Sequence, residues 1–160
     1  MRFYLIVLLA AHCGCLLASP GVRVRRNLAQ LGDMVTCMTD ANIVGTVRDY
    51  VGYGCFCGFG GEGTPLDDTD KCCQEHDLCY DATVCGGLEQ YGAWYDYETF
   101  NCDTDSAAIE CKPADQYVDD DDALCKAALC QCDADIAMCF AKNQDTYNKD
   151  YRGYDNDLCT

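Results

Sequence analysis

Cations are the scarcest large class in this 160-residue chain: eleven Lys and Arg stand against 27 Asp and Glu, a formal net charge of −16. A surface of that sign has no footprint for a phosphate backbone, so nucleic acid is excluded as a partner. It is also repelled by anionic lipid, which leaves zwitterionic membranes as the compatible surface. Long apolar runs are nearly absent as well. The one near the amino terminus, Phe3 to Ala11 after Arg2, is shorter than the roughly 20 residues a membrane span needs. The Gly-Lys-Ser or Gly-Lys-Thr signature of a phosphate-binding loop is missing, and no internal repeat is detectable. Histidine occurs twice, at His12 and His76, and tryptophan once, at Trp94.

What is present begins with a leader. A basic residue, an apolar stretch and then small residues give Met1 to Ser19 the order of a secretory signal, so the protein is expected to be secreted. Residues 20–26 end in Arg25-Arg26, a processing site that makes this segment a short basic propeptide. Cutting after Arg26 removes 26 of 160 residues and leaves 134, the size of one domain spanning 27–160. That piece keeps all 27 acidic residues but seven of the eleven basic ones, a net charge of −20.

Sixteen cysteines include Cys13 and Cys15 in the leader, so fourteen remain in the processed chain. An even number in an exported protein predicts seven disulfides. Zinc is the competing use of closely spaced pairs such as Cys55 and Cys57 or Cys130 and Cys132, and oxidation during export argues against it.

Leu28, Leu31, Val35 and Met38 recur at helical spacing and predict an amino-terminal amphipathic helix. Glycines crowd Gly52 to Gly63, where no regular element is expected. A second helix should start at Thr64-Pro65-Leu66-Asp67-Asp68 and run to about Val84, with Cys73, His76 and Tyr80 on one face and Asp77 beside them. A third should begin near the aspartate run Asp119 to Asp122 and reach about Asn143, carrying Asp133 within the apolar stripe Leu129, Ile136 and Phe140. Between the last two, Tyr91 to Cys111 has room for a small β-hairpin. The fold class is therefore mainly α and disulfide-rich.

The chemistry converges on one residue. Because His12 lies in the leader, His76 is the only imidazole left to act as a general base near neutral pH. Asp77 next to it points about 100° away around the helix, so one side chain can hold a cation while the other handles a proton. Calcium takes hard oxygen ligands, and the glycine-rich stretch Cys55 to Gly61 can turn carbonyls inward.

Tyr53-Gly54-Cys55-Phe56-Cys57-Gly58-Phe59-Gly60-Gly61, followed by Cys72-Cys73-Gln74-Glu75-His76-Asp77-Leu78-Cys79-Tyr80, resembles the secreted phospholipases A2. Leu129-Cys130-Gln131-Cys132-Asp133 is similar to the family's second aspartate motif, and the short propeptide to that of the pancreatic-type, group I-like zymogens. The resemblance implies an amino-terminal helix, two long antiparallel disulfide-linked helices, a calcium loop and a small hairpin. It implies a calcium-dependent enzyme that hydrolyses the sn-2 acyl ester of glycerophospholipids at a membrane interface, releasing fatty acid and lysophospholipid.

By the same resemblance, the carbonyls of Phe56, Gly58 and Gly60 and the carboxylate of Asp77 bind calcium, His76 takes a proton from water, and Asp133 orients it. Tyr80 hydrogen-bonds Asp133. Leu28, Leu31, Val35, Tyr50, Ile136 and Phe140 line the acyl channel. The implied disulfides are Cys37 to Cys102, Cys55 to Cys159, Cys57 to Cys73, Cys72 to Cys139, Cys79 to Cys132, Cys85 to Cys125 and Cys111 to Cys130.

Several positions depart from the pattern. Phe56 stands where tyrosine is usual, and Ala29 where pancreatic-type enzymes often carry tryptophan. Glu98 occupies the spacing of the family's second network tyrosine, four residues before Cys102, and Tyr97 is expected to take that role by a shift of one residue. The rival readings are a binding protein of the same fold directed at a cell-surface receptor, and a secreted calcium-binding scaffold. Retention of both His76 and Asp77 favours the enzyme.

Overall fold

The computed structural model describes residues 24–160 apart from 40 and 59. The expected leader and the first part of the expected propeptide, residues 20–23, lie outside the described residues.

Among the described residues, four α-helices and one two-stranded sheet carry the fold: α1 Val24–Met38, α2 Ile43–Tyr50, α3 Asp68–Asp81, β1 Tyr97–Phe100, β2 Ala108–Cys111 and α4 Ala123–Lys142. The mainly helical class and the hairpin expected from sequence are both present, and α2 is an addition. Its start is signed by Asn42, whose side-chain oxygen accepts a hydrogen bond from Gly45 N at 2.9 Å. Among the described residues, no helix is long and apolar enough to cross a membrane.

Local chemistry sets the boundaries of α3 and α4. Asp67 caps α3 by accepting from Asp70 N at 2.8 Å, and Asp68 and Asp70 sit in the first turn where the helix dipole favours negative charge. The run Asp119 to Asp122 ends just before α4, and Asp122 makes no side-chain capping bond. Asp120 is the member of the run with a structural task, accepting from Asp122 N at 3.0 Å and pairing with Lys126 at 2.5 Å.

Seven disulfides join the pairs that the resemblance implies. Cys72 to Cys139 and Cys79 to Cys132 tie α3 to α4, and the partner numbers fall as the α3 numbers rise, so the helices are antiparallel. The hairpin is too small to persist alone, and it is pinned by Cys37 to Cys102 on the α1 side and Cys111 to Cys130 on the α4 side. Its antiparallel register pairs Tyr97 with Cys111 and Phe100 with Ala108. Met34 and Val35 of α1 and Leu129, Ala137 and Phe140 of α4 meet in one buried core.

The glycine-rich loop before α3 has no regular structure, and a single carboxylate organises it. Asp70, fully buried, accepts hydrogen bonds from the backbone amides of Cys55 at 2.8 Å, Phe56 at 2.8 Å and Leu66 at 3.0 Å. Gly54 makes room for it. At φ +60° the chain passes so close that a Cβ there would lie 2.3 Å from Asp70 Cγ. The carboxy-terminal segment holds the loop from outside, through Gly54 N to Tyr151 O at 2.9 Å, Gly153 N to Gly52 O at 2.7 Å and the Cys55–Cys159 disulfide.

Asp70→Ala should therefore strip the acceptor from three backbone amides and cost about 3 kcal/mol of unfolding free energy. Gly54→Ala, which drives a methyl group into the same carboxylate, should cost a similar amount, and the two costs should not add. Urea unfolding of the single and double variants measures this, and simple additivity would refute the clamp.

Candidate active site

The two disulfides between α3 and α4 bracket a polar contact between the helices. His76 lies between Cys72 and Cys79 in α3, Asp133 follows Cys132 in α4, and His76 Nε2 comes within 2.7 Å of Asp133 Oδ1. Asp133 has no exposed surface, so its charge depends on the donors around it. Tyr80 donates to Oδ1 at 2.8 Å, and the phenol of Tyr95 makes a short hydrogen bond to Oδ2. Burial, then the nearby Asp133 charge, raises the pKa of Tyr95 far above the ordinary phenol range. It therefore stays protonated and donates.

With Asp133 ionised and accepting on both oxygens, the proton of the His76–Asp133 bond sits on Nε2 and the lone pair is left on Nδ1. Among the described residues, no hydrogen-bond partner meets Nδ1. The imidazole is mostly buried, with 15% of its side-chain surface exposed, and its ring lies against Tyr80 with centroids 4.4 Å apart. This geometry suits proton abstraction at a partly water-excluded site.

The tyrosine expectation needs correcting. Tyr97 does not reach Asp133; its phenol donates instead to Asp33 of α1 at 2.7 Å. Tyr95 occupies the place expected of Tyr97, seven residues rather than five before Cys102. The cause is backbone anchoring. Buried Gln30 of α1 donates from Nε2 to Tyr95 O at 2.6 Å and accepts from Tyr95 N at 3.5 Å, which holds the residue before the hairpin and lets its phenol reach inward. Residues two apart in extended chain face the same side, so the pattern alone could not choose between Tyr95 and Tyr97. Gln30 and Tyr95 are the site residues that sequence reasoning missed. Gln30, a buried amide in an amphipathic helix, offered a weak signal of its own.

Asp77 follows His76 on α3 and is half-buried. Its pKa is pushed up to about 6, first by burial; the neighbouring His76 opposes the rise, and Asp81 adds to it. Among the described residues, neither a cation nor a hydrogen-bond donor meets this half-buried carboxylate, which leaves it open to a positive charge. The loop carrying Phe56, Gly58 and Gly60 is joined to α3 by Cys57 to Cys73, one helical turn before Asp77. No group of three His, Cys, Asp or Glu side chains forms a metal cluster among the described residues, so a cation here would draw on loop carbonyls. One carboxylate with several carbonyls is a hard-oxygen donor set of the kind calcium takes, and the residues present fit it.

The six channel candidates fall into two groups. Val35, Ile136 and Phe140 are buried in the common core, with Leu31 and Tyr50 packed against it and the Tyr50 ring stacked on Phe140 at 4.1 Å. Leu28 is half exposed at the rim of α1.

Comparison with known proteins agrees with the geometry. A family model described as phospholipase A2 matches residues 28–152. A phospholipase A2 of Acanthaster planci, AP-PLA2-II, is 42% identical over 144 residues, covering 83% of this chain and 85% of the relative. An acidic phospholipase A2 of Bitis gabonica is 37% identical, covering 84% of this chain and 96% of the relative. A membrane-associated phospholipase A2 of Mus musculus is 36% identical over 96% of this chain and 93% of the relative.

Tyr95→Phe removes a donor from the fully buried Asp133 and should cost about 1–3 kcal/mol of stability. Tyr97→Phe, which breaks an exposed bond to Asp33, should cost less than about 0.5 kcal/mol. Denaturant unfolding of the two variants distinguishes them, and the reverse order would return the network position to Tyr97.

Proposed function

The chain belongs to the phospholipase A2 family, and we propose that it is exported and hydrolyses the sn-2 acyl ester of glycerophospholipids at a membrane surface, with His76 as general base, Asp133 as its anchor and calcium beside Asp77. The observation that carries this reading is the His76–Asp133 contact at 2.7 Å, which leaves Nδ1 as the free basic nitrogen.

His76 Nδ1 takes a proton from water, and the water oxygen forms a bond to the ester carbonyl carbon. The resulting imidazolium is stabilised by Asp133, which Tyr80 and Tyr95 keep desolvated and oriented. Nδ1–H then returns its proton to the departing glycerol oxygen as the ester C–O bond breaks, giving fatty acid and lysophospholipid. The carbonyls of Phe56, Gly58 and Gly60 and the carboxylate of Asp77 would hold the calcium, which supplies Lewis-acid polarisation of the ester carbonyl and charge balance for its developing oxyanion. Replacement of tyrosine by Phe56 leaves the carbonyl ligand unchanged. Leu28, Leu31 and Tyr50 would supply apolar surface for the acyl chain, backed by the buried Val35, Ile136 and Phe140.

A net charge of −20 after processing supports a zwitterionic target. The leader and the dibasic site support export and activation by cleavage after Arg26. The seven disulfides support the pancreatic-type reading and an oxidising compartment.

The direct experiment is fatty-acid release from phosphatidylcholine vesicles by the processed chain, with calcium and then with chelator. Calcium-dependent sn-2 release is expected; none from folded, fully oxidised protein would leave the receptor-binding reading in its place. His76→Gln should keep calcium binding and lose hydrolysis, whereas Asp77→Asn should lose both.

The raised pKa of Asp77 adds a signed expectation. A carboxyl group whose folded pKa is about 6, against an ordinary 3.8, destabilises the metal-free protein at neutral pH and stops doing so as pH falls below the ordinary value. In chelator, Asp77→Asn should therefore raise the thermal midpoint at pH 7, and the gain should vanish near pH 4. Calcium affinity of the parent should weaken as pH drops through about 6. Calorimetry across pH checks both; a lower midpoint for Asp77→Asn at pH 7 in chelator would contradict the burial argument.

A further inference from the structure

Trp94, the only tryptophan in the chain, lies just before β1 and is 54% exposed. It helps line an open groove of about 560 Å³, whose walls also include Ala29 and Asp33 of α1 and the residues Asp96 and Tyr97. Ala29 and Asp33 lie one turn apart on the same helix face. The groove backs onto the active site through Tyr95, which lines it while sending its phenol inward to Asp133.

Charge in the groove is unevenly compensated. Asp96 is paired with Lys112 at 3.0 Å, and that ammonium also lies over the Tyr117 ring at 4.5 Å. Among the described residues, Asp33 accepts only the Tyr97 phenol at 2.7 Å, and no Lys or Arg is among those that line the groove. The walls therefore offer two aromatic rings and one uncompensated carboxylate.

That combination selects a ligand class. An anion is repelled by Asp33, and an acyl chain would strip water from carboxylates without pairing them. A hard metal cation needs several converging oxygens, and Asp33 is the one unpaired carboxylate here. A weakly hydrated organic cation with no N–H to satisfy fits best, because ring faces and a carboxylate attract it without demanding hydrogen bonds.

We propose that this groove binds the trimethylammonium group of phosphatidylcholine at the membrane surface, with Trp94 and Tyr97 supplying ring faces and Asp33 the counter-charge. The proposal rests on the phospholipid-surface reading above and adds a headgroup site distinct from the ester-cleaving centre. It also supplies an attraction to lipid that a protein of net charge −20 cannot obtain from basic residues.

Trp94 is its own reporter. In chelator, so that turnover plays no part, titration with vesicles of non-hydrolysable diether phosphatidylcholine should shift Trp94 emission to shorter wavelength. Tetramethylammonium chloride should reverse the shift, and sodium chloride at equal concentration should not. Asp33→Asn removes the charge but keeps an acceptor for Tyr97, and should weaken vesicle binding about threefold to fivefold. Trp94→Ala, followed by co-sedimentation, should weaken it by at least as much.

An unchanged emission spectrum on phosphatidylcholine, or an equal shift on phosphatidylglycerol vesicles, would overturn the proposal. So would a shift that ignores both Asp33→Asn and tetramethylammonium, since that describes apolar insertion. Hydrolysis of a soluble short-chain phosphatidylcholine by the parent protein tests the enzyme reading separately, so failure of one is not mistaken for failure of the other.

Discussion

Asp133 carries a charge with no exposed surface, and the arrangement of the site follows from keeping that charge tolerable. Burying a carboxylate is costly unless hydrogen bonds replace its water. Here three donors from two elements replace it: His76 and Tyr80 on α3, and Tyr95 from the segment before the hairpin. The donors come from two elements that meet α4 from different sides, so α3, α4 and the hairpin approach must all be in register before the charge is satisfied. Gln30 brings α1 into the same arrangement by holding the backbone of Tyr95. Support for the candidate base His76 is thus also a constraint on how four parts of the chain pack.

A domain of this size with a charged interior has a limited apolar core to offset the cost, and disulfides make up the difference. Their placement matters as much as their number. The Cys72–Cys139 and Cys79–Cys132 bridges lie on either side of the His76–Asp133 contact and hold α3 and α4 in the register it needs. Cys57 to Cys73 and Cys55 to Cys159 do the corresponding work for the glycine-rich loop, and buried Asp70 organises its backbone from within. Asp70 and Asp133 are both fully buried carboxylates, yet they are satisfied differently. Among the described residues, Asp70 accepts only backbone amides and serves as scaffold, whereas Asp133 accepts groups that can exchange protons.

The surface is governed by the opposite problem, an excess of negative charge with few cations to balance it. Lys126 with Asp120 and Lys112 with Asp96 commit two of the seven basic residues that follow Arg26 locally. Arg48 and Arg152 both engage Asp49. Basic side chains are therefore a poor route to a membrane, while exposed aromatic surface beside an unpaired carboxylate is a compatible one.

Much of this was legible in the order of residues. Helical spacing marked α1, the Pro and aspartates marked the start of α3, and the scarcity of histidine singled out His76. Those features are local or compositional, so they need no knowledge of what packs where. Resemblance to a family supplied the disulfide partners, which spacing alone leaves open among many pairings. The short α2 was not anticipated, whereas α4 begins at Ala123, directly after the aspartate run, as expected.

Tertiary structure decided between Tyr95 and Tyr97, because two tyrosines of equal parity differ only in what lies across from each: Asp133 for one, Asp33 for the other. It also assigned Asp70 to the loop and brought Trp94 beside Ala29, since both relations join residues far apart in the chain that only packing makes neighbours. Sequence by itself determined which side chains could do chemistry; the fold determined which of them meet, because hydrogen bonds and charge compensation depend on distances that chain order does not encode.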